Sequence, residues 1–520
     1  MEKQRVAVIG AGPSGLTMLK ALREDGFTVT LYTTALPITQ ANISKFTCGF
    51  SDFPIPDKYP TFLHPHHFQE YMEDYAKHFD LLKDIVFNAE VKLSRRNQAN
   101  THWLLDVKIS STVQTVEYDR IAFCHGYQTK PEIPIFPGQD LFQGPILHSQ
   151  AFRSTAPFSG KKVVVVGLSS SAGDIIPALM PVASKVYVSH RRGTVLFKRY
   201  RNGYPTDLVA TWRRRQLTHF LQRRFPRFSR WLADVALALF SRTLFGKLDP
   251  AWNLDTFPSI STNLPGSIEY VMPFLQNGSL TSLRGLKQFV GPTAVELDDG
   301  TVVDDVDAVV LCTGYSADWS VAAPWVEKTK PRVAGYHGQE MYRLWMNLFP
   351  PAYADSCVML CWSSFGKNNG FSFADVTAWA VSAVWRGVEK IPEREEMEKW
   401  VDRQHRWVVD WAWKKDPLSF DASMVRQWEF QGWLHQAAGT GMENLGWGWK
   451  GWKFWWKDRK MYSLMNHGVE TAHGFRFFDG GEGRRRKWEG ARKAIVHMNE
   501  QVKTLFPVEE EEIKTPEFVM

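Results

Sequence analysis

The stretch Arg5 to Ile9 (RVAVI) runs directly into Gly10-Ala11-Gly12-Pro13-Ser14-Gly15 and then into a helical stretch, Leu16 to Glu24. A nearly all-apolar run of this length reads as a central strand of a parallel sheet, covered on both faces. Gly10 permits the tight turn, Gly12 lets a pyrophosphate approach the backbone, and Gly15 allows the helix to pack close on the strand. The unpaired N–H groups at the start of that helix then face the phosphates. Few folds accommodate this order of strand, glycine turn and helix at the head of a chain.

The pattern recurs. Lys161 to Gly167 (KKVVVVG) leads into Leu168-Ser169-Ser170-Ser171-Ala172-Gly173, followed by a helix through Ile175 and Ile176. Here Gly167 makes the turn, Ser169 and Ala172 replace the second and third glycines, and Ser170 and Ser171 add hydroxyls that can bond phosphate. A phosphate-free strand–helix turn is the competing reading. The next strand, Lys185 to Ser189, ends in His190-Arg191-Arg192. An acid there selects a ribose 2′-hydroxyl, whereas Arg191 and Arg192 suit the 2′-phosphate of NADPH. Both halves close alike, with strands leading into Cys124-His125-Gly126-Tyr127 and Cys312-Thr313-Gly314-Tyr315. Turns of this kind bring backbone, here Thr313 and Gly314, beside a cofactor. The expected fold is α/β with two Rossmann-like dinucleotide-binding domains. Two such sites imply a flavin held throughout and a nicotinamide that delivers hydride.

Composition narrows the alternatives. The 520 residues carry five scattered cysteines, which exclude a disulfide scaffold and leave no C-x-x-C pair for zinc or dithiol work. A flavin disulfide reductase is excluded on the same ground. No apolar run approaches a membrane span, and the N-terminal strand leaves no room for a leader, so a cytoplasmic location is expected. Net charge is +7, yet residues 191–231 hold twelve Arg or Lys and one acid, Asp207. That stretch and the apolar run after it suit either an anionic membrane surface or a helical insertion with solvated arginines. No nucleic-acid motif accompanies the charge.

Between the two units lies Phe142-x-Gly144-x-x-x-His148-x-x-x-Phe152. With the two glycine turns around it, the chain resembles a flavin-containing monooxygenase of the NADPH-dependent, single-component family, the dimethylaniline-monooxygenase type. Phe152, where Baeyer–Villiger relatives carry Trp, points to the amine- and sulfur-oxygenating branch; ketone oxygenation is the alternative. The resemblance continues through Phe50-Ser51-Asp52-Phe53-Pro54, Asn202-Gly203-Tyr204-Pro205-x-Asp207 and Phe349-Pro350-Pro351. It implies FAD and NADPH as cofactors, oxygen and a small molecule as substrates, and transfer of one oxygen atom from a C4a-hydroperoxyflavin to nitrogen or sulfur. Asn42 matches the family's active-site asparagine, which contacts flavin and nicotinamide. The segment 212–248 falls where eukaryotic members carry a membrane-associated insertion.

One departure stands out. The family ends its second strand in Glu and follows it with Gly-Gly-x-Trp. Here Thr28 to Tyr32 is followed by Thr33-Thr34-Ala35, and Asn42 comes ten residues after Tyr32. Thr33 or Tyr32 is left to contact the ribose, and neither carries a carboxylate. A nucleotide-binding protein with impaired flavin binding and no turnover is therefore the second functional reading.

The expected organisation is an FAD domain over 1–152 and 316–395, an NADPH domain over 153–315 with a basic insertion at 200–260, and a Trp-rich region over 396–520. Twelve of the 22 tryptophans lie between Trp400 and Trp488. Packing against the nucleotide domains, a pocket for a bulky apolar substrate, and an interface or membrane surface each account for them.

Overall fold

The computed structural model describes residues 3–34, 43–194, 196–254, 259–262, 266–360, 370–417 and 421–507. The chain forms two compact units, one from residues 1–127, 203–226 and 317–520, the other from 128–202 and 227–316. The chain passes between the units after residues 127, 202, 226 and 316. The stretch from 396 onward belongs to the first unit.

In the first unit β1 (Arg5–Ile9) is followed by α1 (Pro13–Glu24) and β2 (Thr28–Tyr32). A five-stranded parallel sheet runs Cys357–Met359, Arg120–Phe123, β1, β2, Ile85–Val86. Val6, Ala7 and Val8 are fully buried, as the unbroken apolar run requires. α1 turns Leu16, Met18, Leu19 and Leu22 inward; helix Gly370–Trp385 packs on it. An antiparallel meander, Ala89–Arg96, Trp103–Ile109 and Thr112–Tyr118, completes the nucleotide-type half of the unit.

The second unit repeats the plan. β3 (Lys162–Val166), α2 (Ser170–Leu179) and β4 (Lys185–Ser189) form its strand–turn–helix–strand core. Its parallel sheet runs Leu280–Leu283, β4, β3, Ala308–Leu311, Ile146–His148. In each sheet the strand before the glycine turn sits third of five, with the following strand on one side and the strand that closes the half on the other. Such an order places the turn at the carboxyl edge, where dinucleotides bind.

The basic segment folds as two helices, α3 (Trp212–Arg224) and α4 (Pro226–Phe245). Thr211 caps α3 by accepting from Arg214 N at 3.3 Å, and Pro226 starts the next helix at a position where a missing N–H costs nothing. The C-terminal tryptophans range from buried to exposed, with Trp407, Trp411, Trp428, Trp433, Trp455 and Trp488 partly buried. Trp400 and Trp413 are buried, whereas Trp447, Trp449, Trp452 and Trp456 stand 56–84% exposed on or beside helix Trp449–Lys457. Helix α5 (Gln427–Ala438) lies within the same region.

Candidate dinucleotide sites

At the first turn Gly10 adopts φ +100°, and a Cβ there would sit 2.8 Å from Cys124 O. Gly15 has no room at all: its Cβ would lie 1.8 Å from Gly10 O. Gly12 precedes Pro13 at the start of α1, and no side chain caps the helix. The first-turn N–H groups are therefore directed outward beside a backbone that only glycine can follow, an arrangement suited to a diphosphate. His125, next to Gly10, donates Nε2–H to Asp318 O at 2.8 Å and keeps a buried Nδ1 with no protein partner. Burial holds this ring below the usual histidine range, so Nδ1 is an acceptor. Sequence reasoning missed it because Asp318 is far away in the chain.

The end of β2 is different. Tyr32 OH and Tyr118 OH lie 2.6 Å apart, which ties the tyrosine into the meander. Thr33 is buried, with its N–H on Val86 O at 3.2 Å and its carbonyl taken by Ala89 N at 3.0 Å. No carboxylate stands at residue 33 or 34. The first cradle thus fits a pyrophosphate and lacks the acidic ribose partner. Asn42 lies outside the described residues. The turn just after it is held firmly: Asp207 Oδ2 accepts from Ser44 N, Ser44 Oγ and Thr47 Oγ1 at 2.9, 2.8 and 2.6 Å. Asp207 belongs to the Asn202–Asp207 motif, whose Asn202 and Gly203 take left-handed φ of 48° and 77°.

In the second unit Gly167 (φ +98°) donates its N–H to Ser189 O at 2.8 Å, and a Cβ would come within 2.4 Å of Cys312 O. Ser169 occupies the helix start without capping it, and is exposed; Ser170 and Ser171 are half-buried in the first turn. Ala172 is wholly buried, filling the close-packing role of the third glycine. After β4, His190 is kept neutral by burial. Its Nδ1–H donates to Arg192 O at 2.8 Å and the Ser282 hydroxyl lies 2.9 Å from Nε2. This buried ring fixes the turn that carries Arg191, which is exposed, and Arg192, half-buried.

The histidine of the linking motif has a similar task. His148 is buried, held neutral by burial, and donates Nε2–H to Gly314 O at 3.0 Å while Gln150 N donates to its Nδ1 at 3.1 Å. Gly314 takes φ +98°, and Thr313 Oγ1 donates to Glu132 O at 2.5 Å. Gly144 is needed because a Cβ would lie 2.3 Å from Asp307 O. Phe142 packs on Phe289 and Phe152 stacks on Phe158, with centroids 5.0 and 5.6 Å apart. The motif is thus a clamp on the loop Thr313–Gly314.

Two parallel sheets, each with a glycine turn at its carboxyl edge, define a fold with two Rossmann-like dinucleotide-binding domains. The model of the Flavin-binding monooxygenase-like family matches residues 36–517, and the chain belongs to that family. The family is one of flavin-binding monooxygenases, and a structure of the same fold, OTEMO (TM-score 0.56, 15% identity), was solved in complex with FAD and NADP. Monooxygenase aurF of Gibberella zeae is 31% identical over 528 aligned positions, covering 96% of this chain and 98% of that protein. Dimethylaniline monooxygenase (N-oxide-forming) 2 of Oryctolagus cuniculus is 26% identical, with 96% and 92% covered. Among solved structures, S-allyl-L-cysteine S-oxygenase from Allium sativum shares the fold at TM-score 0.59, 17% identity, and 96% and 99% coverage. Among the described residues no helix is long and apolar enough to cross a membrane.

Proposed function

We propose that this monooxygenase places one oxygen atom on a nitrogen or sulfur of a small molecule, with FAD in the first unit and NADPH in the second. The observation that carries the assignment is the pair of glycine turns, of which only the second is followed by arginines. Gly10, Gly12 and Gly15 hold the flavin pyrophosphate against the start of α1, with Thr33 at the ribose. Gly167, Ser169, Ser170, Ser171 and Ala172 hold the second pyrophosphate, and Arg191 and Arg192 take the 2′-phosphate. Thr313 and Gly314, clamped by His148, line the cofactor side of that unit. Asn42 is the active-site amide, and Asp207 positions the turn that follows it. Bound together, NADPH supplies hydride and FAD activates oxygen for single-atom transfer. The chain's own part is orientation and exclusion of water, which needs no protein nucleophile.

Acceptor choice rests on Phe152 and on two relatives, one named as N-oxide-forming and one as an S-oxygenase. FAD-loaded protein with NADPH is to be offered a tertiary amine, a thioether and a cyclic ketone. N-oxide or sulfoxide formation supports the reading; lactone formation alone replaces it with ketone oxygenation.

Location in the cytoplasm with peripheral contact to membranes through 212–248 completes the proposal. On α4, Phe228, Trp231, Val235 and Leu239 recur at helical spacing and are 37–59% exposed, while Leu237, Ser241 and Phe245 are buried. Phe220 on α3 is half exposed, with Arg223 and Arg224 in the same turn. Exposed rings beside arginines suit an anionic interface.

A further inference from the structure

The helix Trp449–Lys457, in the first unit, carries most of its indoles on the side turned away from the protein. Two residues settle its inner face. Phe454 is buried against Phe478 and Phe477, with ring centroids 5.0 and 5.8 Å away. Gly451 sits so close to the turn before the helix that a Cβ would lie 1.8 Å from Gly446 O. The helix therefore cannot roll to hide another side. Trp449, Trp452 and Trp456 recur at i, i+3 and i+7, which sets them in one row on the opposite face, and they are 81%, 61% and 84% exposed. Lys450, Lys453 and Lys457 repeat that spacing one residue further on and form a second exposed row beside the first. A surface helix ordinarily turns polar residues outward, so a bare row of three indoles marks a contact surface.

Charge decides what the surface meets. Residues 446–460 hold five Lys or Arg and one acid, Asp458. That acid is taken up inside the fold: it caps the next helix by accepting from Met461 N at 3.1 Å and pairs with Arg492. Lys450 pairs with Glu443 at 3.1 Å, whereas among the described residues no carboxylate comes within ion-pair distance of Lys453 or Lys457. Arg459 lies over the half-buried ring of Trp455, 4.4 Å from its centroid, and extends the positive edge. A second copy of this chain would bring two positive faces together, and lysine is depleted from protein–protein contacts. A bilayer with anionic headgroups satisfies both rows at once. Indoles seat at the boundary between headgroup and acyl chain, and ammonium groups are drawn to the negative surface.

We propose that the helix Trp449–Lys457 lies flat on anionic bilayers, with Trp449, Trp452 and Trp456 at the headgroup boundary and Lys450, Lys453 and Lys457 on the charged lipid heads. This contact is independent of the one assigned to α4, which rests on other residues. The test sediments the full chain with vesicles of phosphatidylcholine alone or mixed with phosphatidylserine, brominated on the acyl chains to quench tryptophan emission. Wild type is expected to bind the mixed vesicles with quenched emission. Trp449→Ser, Trp452→Ser and Trp456→Ser together should weaken that binding by at least about tenfold and remove most of the quenching, because the indoles no longer withdraw apolar area from water. Lys450→Gln, Lys453→Gln and Lys457→Gln together keep the indoles and should weaken binding to mixed vesicles about a hundredfold, at about fivefold per lysine. Both sets replace exposed side chains, and an unchanged urea midpoint verifies the fold. Repeating the comparison in Trp231→Ser reads a failure of the α4 contact apart from this one, since the three indoles should still decide binding there. Equal binding to both vesicle types, binding to neither, or binding indifferent to both sets of substitutions would each overturn the assignment. So would a wild-type dimer in sedimentation velocity that the tryptophan set turns into monomer, because a second copy would then cover the face.

Discussion

Asp207 takes both the backbone N–H and the hydroxyl of Ser44 on a single carboxylate oxygen, at 2.9 and 2.8 Å. The two residues are 163 positions apart, and Ser44 stands two beyond Asn42. A charged acceptor thus holds the turn that follows the proposed active-site amide in the chain. Asp207→Ala should cost about 3 kcal/mol of stability, read by urea titration, since hydrogen bonds to a charged group are worth about 1.5–3 kcal/mol each. In FAD-loaded protein the variant should also oxidise NADPH with less product per turnover. Full coupling in a folded Asp207→Ala chain would remove the positioning role.

Coenzyme preference should follow the turn after β4. Replacing Arg191 and Arg192 together by Ala should weaken NADPH by roughly 1–3 kcal/mol per lost charged hydrogen bond and leave NADH nearly unchanged. Steady-state kcat/KM for the two coenzymes reads this directly. Equal losses would contradict the 2′-phosphate assignment. His190→Ala should give a milder form of the same shift, because it loosens the turn without removing charge.

Flavin retention tests the end of β2. A missing strand-end carboxylate removes a charge-assisted contact worth about 1.5–3 kcal/mol, or about tenfold to a hundredfold in affinity. The purified chain should carry less than one flavin per protein by visible absorbance. After loading with FAD it should release hydrogen peroxide in preference to oxygenated product. Inserting a family-like segment between Tyr32 and Thr33 should raise both retention and coupling. Tight coupling in the unmodified chain would show the short connection to be harmless.

These three tests mark what sequence could and could not disclose. The glycine turns were legible because their constraints are local: Gly15 is required by Gly10, five residues away. That Arg191 and Arg192 follow a strand was likewise legible, from the apolar run Lys185 to Ser189. The reason for His148 was not, since its partner Gly314 is 166 residues distant and only the closed sheet brings them together. The partners of Asp207 and His125, which are Ser44 and Thr47 for the one and Asp318 for the other, were hidden for the same reason. Their value lies in who faces them, and no periodicity records that.

Acidity should distinguish two buried carboxyls. Asp375, fully buried, accepts from Ser51 N at 2.6 Å and is pushed up to about 6 by burial, with the charge of Asp52 adding to it. A raised carboxyl stabilises the fold below its unfolded value and loses that contribution as pH climbs through about 6. Asp52 behaves oppositely: burial raises it, but Lys20 at 2.5 Å and Arg476 at 2.8 Å outweigh burial and hold it low. Its contribution is present above the unfolded value and fades in acid. Melting temperature against pH should therefore show wild type losing ground to Asp375→Asn between roughly pH 4 and 7. Parallel curves would refute the shift.

The surface helices predict a salt-sensitive attachment. The protein should sediment with vesicles containing anionic lipid and be released by added salt, because screening shortens the reach of the arginines. Trp231→Ser on α4 should weaken sedimentation without altering nucleotide binding. Indifference to salt and to this substitution would leave α4 as a solvated helix.

The division of the chain has a consequence for its synthesis. All five strands of the second unit's parallel sheet lie between Ile146 and Leu311, so this unit can close soon after residue 316 emerges. The first unit begins at residue 5 yet lacks its edge strand until Cys357–Met359. It also lacks Arg476, the partner of Asp52, and His473, which donates Nδ1–H to Ser51 O at 2.9 Å, until the chain is nearly complete. Pairings of such long sequence separation form late, and apolar strands awaiting them are exposed to aggregation meanwhile. The unit that the ribosome starts first is therefore the one completed last, and chaperone demand should fall on its half-built sheet.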